Sequence, residues 1–190
     1  MLRQLSVDQF LRERDELPHE GRWAELVEGI PICFEPPDLL HGNVILNVSK
    51  TLADFIHQSG LGYACFDLGL LLVRSPDTLR FPAVSYFLDG PRFAESDKLF
   101  TDVIPAFVIE LATSEDRRRL MRSREREFLN SGVQLVWTID TDSRDVQVTS
   151  AVSPDVRRFA GDERVTGGSL LPALSVTAES LFAEPSWWSR

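Results

Sequence analysis

Glu110 lies within Phe107-Val108-Ile109-Glu110-Leu111-Ala112, and its surroundings are the first in the chain to call for chemistry. A β-branched, aromatic run of this kind is the pattern of a strand buried on both faces. A carboxylate is almost never buried alone, because removing one from water costs several kcal/mol even after relaxation. Glu110 must therefore be met by a metal ion, a cationic side chain or water at an open strand end. A basic run follows at once: Arg117, Arg118, Arg119, Arg122, Arg124 and Arg126. The apolar residues Leu120, Met121, Phe128 and Leu129 mark the buried stripe of a helix, and Arg124 falls four residues after Leu120 and four before Phe128. Arg124 is thus expected to face the sheet, where its permanent charge needs a carboxylate. Glu110 is the nearest candidate along the chain. Arg117 shares the face of Arg124. The remaining arginines, interspersed with Glu115, Asp116, Glu125 and Glu127, read either as a solvated, ion-paired face or as a phosphate-contacting surface.

The elements that must position these residues are legible in outline. Ser6 is an N-cap for a short amphipathic helix over residues 6 to 15, and WAELVEGIPICF reads as two strands hinged at Glu28-Gly29. From His41 to Ser59 the positions Val44, Ile45, Val48, Leu52, Phe55 and Ile56 keep a helical period that Gly60 ends. YACFDLGLLLV and LRFPAVSYF read as two strands joined at Ser75-Pro76-Asp77-Thr78. After the polar connection 91 to 105 come FVIEL, the arginine helix ending near Gly132, the strands QLVWTID and RDVQVTSAV, and a last helix within SVTAESLF. This order predicts an α/β or α+β fold, a mixed sheet with helices on its faces. Trp187 and Trp188 read as a docked anchor or an exposed tail.

Length and composition fit one domain over residues 1–190 with a sizeable core, since 43% of residues are hydrophobic. No apolar stretch reaches the roughly 18 residues of a membrane span, and the first 20 residues lack the order of a signal peptide, so a cytoplasmic protein without a membrane partner is expected. Cys33 and Cys65 lack metal-ligand spacing and read as small core residues. A net charge of -9 weighs against broad binding to a polyanion, so any DNA-contacting surface must be local.

Taken together, ELVEGI with Glu25, PDLLH with His41, RFPAV with Ala83, VIELATSE with Glu110 and Thr113, Arg124, GVQLVWTID, and LPAL from residue 171 follow a known order. Over about Ser6 to Glu184 the chain resembles the Uma family of restriction-endonuclease-like proteins, within the PD-(D/E)XK nuclease superfamily. The resemblance implies a restriction-endonuclease-like mixed β-sheet flanked by helices, DNA as partner, and phosphodiester hydrolysis with Mg²⁺ or Mn²⁺. It makes Glu25 and Glu110 metal ligands and catalytic residues, with Arg124 at the position of a catalytic lysine. The family's metal-binding aspartate falls on Ala83, which cannot hold a metal. Arginine at 124 keeps the charge but not the titratable ammonium. These two departures imply a degraded centre in which Arg124 pairs with Glu110, and a binding or assembly protein is the alternative to an endonuclease. His41, at a helix start, can act as a base or contact phosphate; with Arg117 and Arg118 it completes the DNA-binding candidates. Glu28, Asp38 and Asp67 read as turn or surface acids, with a replacement metal ligand as the alternative for Asp67. A homodimer is admitted, though no residue singles it out.

Overall fold

The computed structural model describes residues 3–91, 94–95 and 98–185. Trp187 and Trp188 lie outside them. In chain order the elements are α1 (Val7–Glu13), β1 (Ala24–Val27), β2 (Ile30–Cys33), α2 (Leu39–Ser59), β3 (Tyr63–Phe66), β4 (Gly69–Val73), β5 (Thr78–Arg80), β6 (Val84–Phe87), β7 (Phe100–Thr101), β8 (Phe107–Ala112), α3 (Glu115–Ser131), β9 (Leu135–Asp140), β10 (Asp145–Ser150), β11 (Ser153–Ala160), β12 (Arg164–Gly167), β13 (Leu171–Thr177) and α4 (Ala178–Leu181). Two 3₁₀ turns, Arg14–Glu16 and Pro18–Gly21, join α1 to β1.

The central sheet runs β11-β10-β9-β8-β6-β3, and a second sheet runs β2-β1-β5-β4-β7. A hairpin of β12 and β13 completes the strands described. Strands β8 and β9 are parallel, with Glu110 opposite Thr138, so α3 is the crossover of a βαβ unit and must lie on one face of both strands. The alternation of β8 decides what each face receives. Phe107, Ile109 and Leu111 join the core built with Val44, Val48, Leu52 and Phe55 of α2. Val108 joins the opposite core with Phe128 of α3. Glu110 shares the parity of Val108 and so points toward α3.

Local chemistry explains the helix ends. Ser6 accepts from the Gln9 backbone while the Gln9 side chain accepts from the Ser6 backbone, a reciprocal cap on α1. Asp38 caps α2 by accepting from the His41 N–H. Gly132, at φ 111°, closes α3 in a left-handed conformation that a side chain would resist. Among the described residues no helix is long and apolar enough to cross a membrane.

Two strand-level expectations need correction, and strands β7, β11, β12 and β13 have no counterpart in the sequence pattern. YACFDLGLLLV is two strands in different sheets, because the chain turns at Asp67, whose φ is 51°. LRFPAVSYF also divides, since Pro82 has no N–H to give a ladder, and the break over 81–83 passes the chain back to the central sheet. Strand β11, polar and at a sheet edge, was not legible in the pattern of SPDVRRFA. Cys33, expected inside, is exposed; Cys65 is buried.

Candidate functional site

The two sheets and α3 converge on Arg124, which is fully buried together with Glu110 and Glu25. The guanidinium approaches Glu110 side-on: Nε donates to Oε2 at 2.9 Å and Nη2 to Oε1 at 2.9 Å. Its other edge faces Glu25, where Nη2 donates to Oε1 at 3.0 Å and Nη1 donates to Oε2. One cation thus bridges a carboxylate of the central sheet and one of the second sheet.

Glu25 has further donors. Arg80, at the end of β5, donates from Nη1 to Oε2 at 3.0 Å, and the Phe81 N–H donates to Oε1 at 3.1 Å. Each Glu25 oxygen therefore accepts twice, which uses the roughly four lone-pair positions of a carboxylate. Phe81 lies just past the end of β5, where its N–H is not part of the described strand pairing. Arg80 also grips Glu127 of α3 through two hydrogen bonds of 2.8 Å.

These contacts separate the two carboxylates in proton affinity. Burial raises Glu25, but the charge and hydrogen bonds of Arg124, with Arg80 beside them, bring it down to about 2. Burial also raises Glu110, and here it prevails: Arg124 opposes it, while the neighbouring charge of Glu25 adds to it. For Arg124 burial favours loss of the proton, yet the two carboxylates more than offset this and raise its pKa.

Above this cluster opens a pocket of about 830 Å³, whose lining includes Glu25, Glu110, Ala83, His41 and Arg117. Glu25, Glu110, His41 and Arg117 all line this pocket; Asp67 also borders it, as an exposed residue in the turn between β3 and β4. Ala83 lines the same pocket. Among the described residues no group of three or more His, Cys, Asp or Glu side chains is placed to hold a metal ion. Arg118 points elsewhere: its Nε donates to Asp140 at 2.8 Å, at the end of β9. Arg119, Arg122 and Arg126 are exposed.

Several contributors escaped the sequence reading. Arg80 and Glu127 complete the ion-pair network, and Glu125, expected on the solvated face, is buried and accepts a 2.8 Å hydrogen bond from Thr138 Oγ1. Arg80 carried the same signal as Glu110, a charge inside an apolar run. Phe34, whose ring lies 4.5 Å from the Arg117 guanidinium carbon, carried none.

The fold is of the nuclease-like α/β class. A crystal structure described as a putative nuclease belonging to DUF820 from Anabaena variabilis ATCC 29413 superposes with a TM-score of 0.73 at 21% identity, covering 94% of this chain and 97% of that one. The sequence model of the Uma2 family, "Putative restriction endonuclease", matches residues 8–179, and the chain belongs to that family. No curated protein matches it.

Proposed function

We propose that this protein is a non-hydrolysing member of its family, a binding or assembly protein whose phosphodiester-cleaving centre has been replaced by a guanidinium. The observation that carries this reading is Arg124 donating to both oxygens of Glu110 and both oxygens of Glu25. Mg²⁺ is held by carboxylate and carbonyl oxygens and water, in near-octahedral geometry. The residues present do not fit it. All the Glu25 lone pairs are engaged, the Ala83 side chain offers no oxygen, and a permanent cation sits between the two carboxylates that remain. Nuclease kinship makes DNA the candidate partner, and the -9 net charge requires any such contact to be local.

The rival reading is a Mg²⁺- or Mn²⁺-dependent endonuclease working with Glu25 and Glu110, and it is favoured by one fact: both carboxylates line the same pocket. Incubation of supercoiled plasmid with Mn²⁺ separates the two. The plasmid is expected to stay supercoiled. Nicking by the unmodified chain that disappears in Glu110→Ala would establish the endonuclease instead.

A further inference from the structure

The central sheet ends differently on its two sides. Strand β11 closes one edge with exposed Asp155, Arg157 and Arg158, charges of the kind that keep a sheet edge from pairing with another chain. Strand β3 closes the other, and its residues Tyr63–Phe66 include neither a charge nor a proline. Ala64 and Phe66 lie opposite Tyr86 and Val84 of β6, members of the core beneath α2, so both side chains point to the α2 side of the sheet. Ala64 is half-buried, whereas Phe66 keeps 39% of its surface in solvent. Between these two and Leu52, Ala53 and Ile56 of α2 runs an apolar groove of about 460 Å³. Leu46, exposed and seven residues before Ala53, continues its rim along the helix.

Symmetry and charge select the occupant. When an antiparallel edge strand pairs with a copy of itself about Cys65, Ala64 of each chain falls opposite Phe66 of the other, on the same face. Small thus meets large twice, and each exposed ring is brought to the groove of the other copy. Lys50 and Asp54 are the only Lys, Arg, Asp or Glu residues of α2; both are exposed, and among the described residues neither enters an ion pair. A two-fold axis between two copies of α2 sets Lys50 of one against Asp54 of the other, and the reverse. The net charge of -9 makes contacts between two copies repulsive in general, but on this helix the charges balance.

We infer that the chain forms a closed dimer in which β3 pairs antiparallel with β3 of a second copy, so that the central sheet continues across the two-fold axis and each Phe66 fills the groove between α2 and β3 of the other chain. Edge pairing supplies main-chain hydrogen bonds, the burial of Phe66 and Leu46 supplies apolar area, and Lys50 with Asp54 fixes the register. The contact uses none of the residues that line the pocket above Arg124, and it holds whether or not that pocket hydrolyses phosphodiesters.

The test is sedimentation equilibrium on the full chain from about 1 to 100 µM. The unmodified chain is expected to weigh twice its 21.5 kDa. Phe66→Asp changes an exposed side chain; with its fold checked by circular dichroism, it is expected to sediment as the 21.5 kDa monomer. Lys50→Glu sets like charges against one another and should weaken the dimer about tenfold or more, and adding Asp54→Lys to the same chain exchanges the signs and should recover the affinity. Should Phe66→Asp fail to fold, the Lys50 and Asp54 series carries the comparison. A monomer across the whole range overturns the inference and leaves the groove to a partner of another kind. A dimer equally stable in Phe66→Asp and Lys50→Glu places the contact elsewhere and also overturns it. Masses that climb past the dimer with concentration indicate a head-to-tail contact and overturn the closed arrangement.

Discussion

Arg124 and Glu110 meet through two parallel hydrogen bonds of 2.9 Å, with both side chains buried. Desolvating three charges is costly, so the pairing is not evidence of exceptional stability; its weight lies in what happens when one partner is removed. Arg124→Met leaves Glu25 and Glu110 facing one another without their common cation. Urea denaturation at pH 7 should show a loss of about 3–5 kcal/mol. Arg124→Lys keeps the charge but loses the fork, and its loss should be smaller. Equal stability of Arg124→Met and the unmodified chain would mean that the pair does not form in solution.

The opposed shifts of the two glutamates give a second expectation. Glu25 is depressed to about 2, so its contribution to stability is present above the unfolded value, roughly 4.3, and is lost as pH falls toward 2. Glu110 is raised, so its contribution runs the other way: it is present below the unfolded value and fades as pH rises through the folded one. At pH 7, Glu25→Gln should therefore cost about 3–5 kcal/mol and Glu110→Gln less, about 1–3 kcal/mol. Denaturation from pH 2 to 7 checks the sign: stability should climb between pH 2 and 5 in the unmodified chain, and the climb should flatten in Glu25→Gln.

Arg80 couples the second sheet to α3 through two unequal partners. Its contact with Glu25 is fully buried, whereas the Glu127 side chain remains 32% exposed. Solvent screens the outer pair and the side-chain entropy of Glu127 opposes it, so Glu127→Gln should cost about 1 kcal/mol or less. A double-mutant cycle on Arg80 and Glu25 should give a coupling of about 1–3 kcal/mol, larger than the cycle on Arg80 and Glu127. The reverse order would place the anchoring role on the exposed side.

The inward turn of Arg124 was legible because helical period and permanent charge leave an arginine on an apolar stripe no other choice than a carboxylate. Glu110 as partner followed from proximity in the chain. That Glu25 would share the same guanidinium did not follow: it arrives from the other sheet, 99 residues away in sequence, and only tertiary packing sets that distance. The breaks at Asp67 and Pro82 were misread for a related reason. Both flanking runs are apolar enough to continue as strands, and the choice to change sheets is made by long-range pairing, which local propensity does not encode. Arg118 was grouped with Arg117 on charge alone, yet one position of helical rotation sends it to Asp140 and away from the pocket.

Restoring metal chemistry requires two changes, and the geometry says why one is insufficient. Ala83→Asp supplies an oxygen on the strand break beside the pocket, but the Arg124 guanidinium still engages both oxygens of Glu25 and both of Glu110. Arg124→Lys alone loosens that grip, because an ammonium is a point donor that cannot span two carboxylates side-on, yet it leaves only two acids. Combined, Ala83→Asp and Arg124→Lys give three carboxylates and a compact cation that can neutralise developing phosphoryl charge. Calorimetry should therefore detect no Mn²⁺ binding in the micromolar range for the unmodified chain or for either single variant, and clear binding for the double variant. Nicking of supercoiled plasmid should appear in the double variant and vanish again when Glu110→Ala is added. Binding of Mn²⁺ by the Ala83→Asp single variant as tightly as by the double variant would show that Arg124 is no obstacle.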